Sequence, residues 1–228
     1  KNNDIKDFTK ITNIFLPKFI NKKLKKIFHR GILEGEFIIP FEFDGSISND
    51  YSFSGKISDA SINLTNNLSI DNLITKINHV RTDNGDVFEV VIQSGFIKDI
   101  ELSESIINLE RNEDGILTKS LLRTKGKIDF VQISQLSKIL NLKISNFKNI
   151  NSSLDLNTNI NFDLSKRFKV KNLNYKTEGN ISNLEVHIKE RQILKEYFPE
   201  YSSKLIFKDS KIKISNSKQQ QSGEIVGF

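Results

Sequence analysis

Leu154-Asp155-Leu156-Asn157-Thr158-Asn159-Ile160-Asn161-Phe162-Asp163-Leu164 is the stretch that decides the fold class. Leucine, isoleucine, phenylalanine and one threonine hold every second position, and each residue between them is Asp or Asn. Side chains of a strand point alternately to opposite faces, so this order gives one apolar face and one solvated face. A helix would scatter the same apolar residues around its circumference. The same period of two recurs on both sides. Upstream, Leu122, Thr124, Gly126, Ile128 and Phe130 alternate after the turn residues Glu113-Asp114-Gly115. Downstream, Leu173, Tyr175, Thr177, Gly179 and Ile181 do so.

Nearer the N-terminus, Leu33, Phe37, Ile39, Phe41 and Phe43 alternate with Glu34, Glu36, Ile38, Pro40 and Glu42. Pro40 has no N–H for a ladder, which predicts an edge or a bulge there. Tyr51, Phe53, Gly55 and Ile57 alternate next, and beyond Ser58-Asp59 the phase slips to Ala60, Ile62 and Leu64, which predicts a β-bulge or a break. Residues 87–92 form an apolar run after the hairpin dipeptide Asn84-Gly85. Shorter strands are predicted at Ile100/Leu102, 106–109, Leu205/Phe207, Ile212/Ile214 and 223–228.

Helical spacing is confined to a few places. Ile5, Phe8, Ile11 and Phe15 fall three to four apart. Pro17 suits the first position of a second helix, whose stripe is Ile20, Leu24, Ile27 and Phe28 and which Gly31 ends. Ile133, Leu136, Ile139 and Leu140 return to that spacing, and 193–201 reads as a short helix or a loop. The expected organisation is a helical lead-in over 1–30 and a β segment over 31–228. A weak repeat runs through it: a one-faced strand, a turn, then a strand reading Gly-x-Ile-x-Asp/Asn. It occurs at Gly55-Lys56-Ile57-Ser58-Asp59 and Gly179-Asn180-Ile181-Ser182-Asn183, with a partial copy at Gly126-Lys127-Ile128-Asp129.

Composition agrees with a sheet. Among 228 residues 37% are hydrophobic and 27% charged, with 11 Gly and 3 Pro, which excludes collagen, a proline-rich linker and a wholly disordered tail. The apolar share lies in Ile, Leu and 17 Phe against the single Ala60. No apolar run approaches the roughly 18–20 residues of a membrane-spanning helix. The chain opens on Lys1 and has no Met, so it is expected to be a segment of a longer protein, any signal peptide or anchor lying outside it.

Cysteine is absent, which excludes thiol catalysis, thiolate metal sites and disulfides. His29, His79 and His187 are far apart and lack zinc-ligand spacing, and each is expected at the surface or in a turn. No Gly-x-Ser-x-Gly elbow, phosphate loop or dinucleotide fingerprint occurs. No catalytic residue, metal ligand or cofactor is expected, and the carboxylates read as solvent-facing strand positions. The outward Asn157, Asn159 and Asn161 read as compositional bias more readily than as a sugar-binding surface.

The net charge of +6 is local. Lys18, Lys22, Lys23, Lys25, Lys26 and Arg30 lie together without an acid, and the rest of the chain is balanced. One short basic stretch supplies few of the phosphate contacts that a nucleic-acid footprint needs, so no nucleic acid is expected as a partner. A solvated lysine face accounts for the stretch more simply than contact with anionic headgroups does.

A one-sided apolar sheet with so few helices to cover it has two solutions. It folds on itself as a sandwich, or its apolar face lines a groove that holds something greasy. A resemblance favours the groove. Leu16-Pro17 with the amphipathic helix after it, Gly31-Ile32-Leu33-Glu34-Gly35-Glu36-Phe37, Gly55-Lys56-Ile57-Ser58-Asp59-Ala60, and Gly126-Lys127-Ile128 leading into a helix together resemble the AsmA-like domain of the YhdP, AsmA and TamB family of Gram-negative bacteria. The likeness spans roughly 14–164. Its departure is compositional, with Ile, Asn and Lys where relatives often carry Leu, Ala, Gly and Arg.

The resemblance implies a mainly β fold: an elongated, curled antiparallel sheet with a few short helices, part of a longer repeat-like protein. It implies a periplasmic protein anchored in the inner membrane through a segment outside this chain, with phospholipid acyl chains moving along an apolar groove towards the outer membrane. Exposing about 30 methylenes to water at about 0.8 kcal/mol each costs on the order of 24 kcal/mol, which a continuous apolar trough removes. The expected lining is Leu33, Phe37, Ile39, Phe41, Phe43, Tyr51, Phe53, Leu154, Leu156, Ile160, Phe162 and Leu164. The same residues would form the core of a closed β-sandwich or solenoid scaffold or adhesin. A role like that of TamB, offering an edge strand to an outer-membrane protein by β-augmentation, is a further alternative.

Overall fold

Alternating sequence becomes one sheet. The computed structural model describes residues 3–5, 7, 26, 28–46, 48, 50–65, 68–82, 85–111, 113, 115–140, 147–166, 169–188, 196–197, 200, 204–217 and 220–227. Its strands are β1 (Asn3–Asp4), β2 (Phe28–Ile38), β3 (Ser52–Thr65), β4 (Leu68–Thr82), β5 (Gly85–Ile97), β6 (Ile100–Arg111), β7 (Gly115–Asp129), β8 (Phe147–Ser165), β9 (Val170–Ile188), β10 (Lys204–Phe207), β11 (Ser210–Ser217) and β12 (Gln220–Gly227). One helix, α1 (Phe130–Leu140), connects β7 to β8. All twelve strands belong to a single sheet in the order β1 to β9, then β11 and β12, with β10 also paired to β9. Every pairing is antiparallel between sequence neighbours, or nearly so. The sheet does not close into a barrel. Among the described residues there is no second sheet to make a sandwich.

The strands are long, up to 19 residues in β8 and β9, and bulges bend them. Asp59, Asn72, Glu104, Asn172 and Asn183 take a left-handed conformation, and pairing shifts register beside each of them. Asp and Asn tolerate that conformation better than most residues. The phase slip at Ser58-Asp59 is therefore a bulge: β3 turns Phe53, Gly55 and Ile57 inward, and then Ala60 and Ile62. Asn183 repeats this in β9, so the two full copies of Gly-x-Ile-x-Asp/Asn share a local backbone. In the partial copy Asp129 caps a helix instead. Its Oδ1 accepts from the Gln132 N–H at 2.7 Å, and Gln132 Oε1 accepts from the Asp129 N–H at 2.8 Å, a reciprocal capping box.

Two glycines of this motif are dictated by space. A Cβ on Gly126 would stand 2.0 Å from the Asp99 carbonyl oxygen, and one on Gly179 would stand 2.1 Å from that of Asp155. Both have a positive φ (147° and 159°), which pushes the chain close to its neighbour.

The core lies on one face, called here the inner face. Leu33, Ile57, Ala60, Leu73, Ile92, Ile97, Ile100, Leu102 and Leu154 are buried in one cluster with Ile5. A smaller cluster joins Ile181 and Leu184 to Phe130 and Ile133 of α1. Two buried hydroxyls on this face find partners at the bulges: Thr75 Oγ1 donates to the Val91 carbonyl at 3.0 Å, and Ser105 Oγ accepts from the Arg123 N–H at 2.8 Å.

Two expectations change. The strand expected to run on through Phe43 ends at Ile38, because Pro40 cannot donate to the ladder. At its other end β2 already begins at Phe28, paired with Ile62, and β1 pairs with Ile32 and Leu33, so the sheet reaches into the lead-in expected to be helical. The helices expected over residues 5–27 and the element at 193–201 lie almost wholly outside the described residues. Residues 68–82, for which the sequence predicts no strand, form β4, hidden because its inner face carries Thr75 and His79 and its bulge at Asn72 breaks the alternation.

Candidate functional site

Directly opposed residues on adjacent antiparallel strands lie on the same side of a sheet. Following register from strand to strand thus traces rows across the inner face. One row runs Phe37, Phe53, His79, Phe88, Leu109, Thr118 and Phe162 from β2 to β8. A second row runs Ser120, Ile160, Tyr175 and Asn216 from β7 to β11, and a third Thr124, Leu156, Gly179 and Ile212. The inner face is thus one continuous, mostly apolar surface.

Burial varies along the strands. The inward Ile57 (3% exposed), Leu73 (2%), Ile92, Ile100, Leu154 and Ile181 are buried, whereas Ile77, Phe88, Val90, Ile107 and Leu109 of β4 to β6 are half-buried. Phe53 lies 4.6 Å from the ring of Phe37 and covers Gly35 and Gly55, where an added Cβ would meet the Phe53 ring at 2.7 and 2.5 Å. Over β7, β8, β9 and β11 the inward Leu122, Leu156, Ile160, Phe162, Tyr175 and Ile212 are only half-buried. Thr158 and Thr177, opposed there, hydrogen-bond each other at 3.0 Å, so their polar atoms are matched within the wall. Burial pushes the Tyr175 hydroxyl pKa up.

Leu33, Phe37, Phe53, Leu154, Leu156, Ile160, Phe162 and Leu164 share this inner face, with Leu33, Phe53 and Leu154 buried in its core. Phe41 and Phe43 do not. They stand in the loop between β2 and β3, 68% and 114% exposed, because the strand has already ended. A turn closed by Gly45 N–H to the Glu42 carbonyl at 2.9 Å, and braced by Ser46 N–H to Asp44 Oδ1 at 2.9 Å, holds Phe43 out. Ile39 is half-buried beyond the end of β2, and Tyr51 is half-buried just before β3.

Sequence reasoning missed a polar cluster at the strand ends. Arg81, Asp86 and Arg111 are directly opposed across β4, β5 and β6, next to the hairpin turns and one inward position beyond the His79–Phe88–Leu109 row. Asp86 is 5% exposed and its two oxygens serve three partners. Oδ1 meets His79 Nε2 at 3.1 Å and Arg81 Nη1 at 3.2 Å, and Oδ2 accepts from Arg111 Nη1 at 3.3 Å. The hydrogen bond from His79, then the charges of Arg81 and Arg111, hold the Asp86 carboxyl below the usual carboxylate range despite its burial. Burial opposes the Arg81 charge, but Asp86 and Tyr51 together outweigh it and raise the guanidinium pKa. His79, expected at the surface or in a turn, is 7% exposed and stacked on Phe88 at 4.3 Å, with the Tyr51 ring at 5.5 Å. The available signal was the pair Arg81 and Asp86 flanking the Asn84-Gly85 hairpin.

No protein-family model, curated protein or solved structure matches this chain. Among the described residues no group of three or more His, Asp or Glu is placed to hold a metal ion, and no helix is long and apolar enough to cross a membrane.

Proposed function

We propose that this chain is a lipid-conducting segment: acyl chains lie on the inner face of the open sheet and slide along it, perpendicular to the strands. One observation carries the reading. On the inner face Leu122, Leu156, Ile160 and Phe162, together with Phe88, Val90, Ile107 and Leu109, are apolar and only half-buried, on a sheet that is not closed and has no second layer among the described residues. Apolar surface left open to water is unfavourable by about 25 cal/mol per Å², and a greasy guest relieves that cost. The wall also suits sliding. Several of its polar groups are matched within the wall: Thr158 and Thr177 bond to each other, and Ser120 Oγ donates to the Ile160 carbonyl, so they offer less to arrest a passing chain.

This reading needs no catalytic group. Together with the likeness to the AsmA-like domain it supports a periplasmic role in a Gram-negative envelope, with a tether to the inner membrane through a segment outside this chain and phospholipid as cargo. Photo-crosslinking residues at Ile160 and Phe162, with outward-facing Asn161 as control, test it in cells. Lipid adducts at the two inward positions and none at Asn161 are expected. Purely intramolecular adducts at Ile160 and Phe162 would return the sheet to a scaffold role, and adducts to an outer-membrane protein would favour assistance in its assembly.

A further inference from the structure

We propose that Arg81 and Arg111 form a phosphate-reading site at the lip of the trough, where they hold the headgroup phosphate of the lipid cargo. The inference rests on the trough reading and adds the residues that read the headgroup.

Position is the first argument. Arg81, Asp86 and Arg111 occupy the last inward row before the β4–β5 and β6–β7 turns, two residues along each strand from His79, Phe88 and Leu109. Two residues of strand span about 7 Å, roughly a glycerol unit. A lipid whose tails lie on the apolar wall would bring its phosphate to this row.

Charge is the second. Two guanidinium groups face one carboxylate, an excess of positive charge. A buried Asp already bonded to His79 and Arg81 does not require a second arginine. Exposure is the third argument. The Asp86 side chain is 6% exposed, whereas those of Arg81 and Arg111 are 36% and 35% exposed. The carboxylate is the closed anchor and the guanidiniums remain open. Among the described residues Arg111 spends only Nη1, on Asp86, and Arg81 spends only Nη1, on Asp86 and the Tyr51 hydroxyl at 3.5 Å. Each guanidinium has five N–H donors, and planar forks of this kind match phosphate oxygens. The Tyr51 ring, 5.7 Å from Arg81 Cζ, further fixes that side chain.

The test measures binding of three probes by native mass spectrometry: dioleoyl phosphatidic acid, dioleoylglycerol and glycerol 3-phosphate. The first has tails and phosphate, the second tails alone, the third phosphate alone. The 228-residue chain is compared with R111Q, which leaves Asp86 bonded to His79 and Arg81, and with R81Q/D86N/R111Q, which removes all three charges and strands no buried carboxylate. Phosphatidic acid is expected to bind the wild type about tenfold more tightly than dioleoylglycerol, as one or two charge-assisted contacts supply. That preference should shrink in R111Q and vanish in the triple variant, while dioleoylglycerol binding stays unchanged in all three and shows the trough intact. A preference that survives in the triple variant makes the arginines a structural clasp and overturns the proposal. Glycerol 3-phosphate binding as tightly as phosphatidic acid overturns it in favour of a soluble phosphate. Wild-type protein that binds both lipids equally refutes the headgroup site and spares the trough, and protein that binds neither removes both.

Discussion

Asp86→Asn perturbs the lip with almost no change of volume, so its effect is electrostatic. Wild-type Asp86 accepts from His79 on one oxygen, from Arg111 on the other and from Arg81 on both. An asparagine keeps one acceptor. If its oxygen faces His79, its amide points donors at Arg111, and in the opposite orientation it points them at His79. At least one charge-assisted hydrogen bond is lost, about 1.5–3 kcal/mol. Both arginines also lose their counter-charge, an effect reduced by solvent because each is about a third exposed. The expected cost at pH 7 is about 3 kcal/mol, read as a lower urea midpoint at unchanged slope. The pH dependence has a definite sign. The folded pKa of Asp86 is depressed, so its contribution is complete above the unfolded value of about 3.9 and disappears as pH falls through the folded value. The stability gap between wild type and D86N should therefore narrow from pH 4 towards pH 2. A gap below about 0.5 kcal/mol at pH 7, or one that grows over that acid range, would refute the reasoning.

Two other substitutions probe the sheet. Phe53→Ala removes a ring that is 7% exposed, packed on Phe37 and covering Gly35 and Gly55, and should cost about 3–5 kcal/mol in urea unfolding. Gly126→Ala places a Cβ 2.0 Å from the Asp99 carbonyl oxygen at a φ of 147° and should destabilise by more than about 3 kcal/mol. A Gly126→Ala protein that melts within 2 °C of wild type would show that β6 and β7 do not approach so closely.

The strand class of this chain was legible wherever the inner face is uniformly apolar. The stretch from Leu154 to Leu164 lies within β8, and the spacing of Ile133, Leu136, Ile139 and Leu140 lies within α1. The bulge at Asp59 was legible too, since a phase slip beside Ser-Asp has few other physical causes. β4 was obscured because an inward histidine and threonine satisfy themselves through partners on β5, and alternation of hydropathy carries no trace of cross-strand hydrogen bonds. The lip was illegible for the same reason. Asp86 looked like every other strand carboxylate until register set it between Arg81 and Arg111, residues 5 and 25 positions away. Phe41 and Phe43 show the converse failure: their alternation continued the pattern of β2 past Pro40, where the ladder had ended.

Whether the inner face receives a guest or is sealed by the chain itself comes down to one comparison. Leu73 and Ile160 both point inward, but Leu73 is 2% exposed and Ile160 only half-buried. An aspartate at Leu73 would bury a charge with no partner, which costs several kcal/mol and should leave L73D unfolded or close to it. At Ile160 an open trough lets the carboxylate reach water, so I160D loses only part of one side chain's burial, about 1–2 kcal/mol, and keeps its sheet. Yet it plants a hydrated charge in the path of a hydrocarbon tail. Photo-crosslinking from Phe162 on the I160D background should then lose its lipid adducts while circular dichroism still reports a folded β protein. Equal destabilisation by the two aspartates would mean that β8 is as tightly covered as β4, and no acyl chain could lie there.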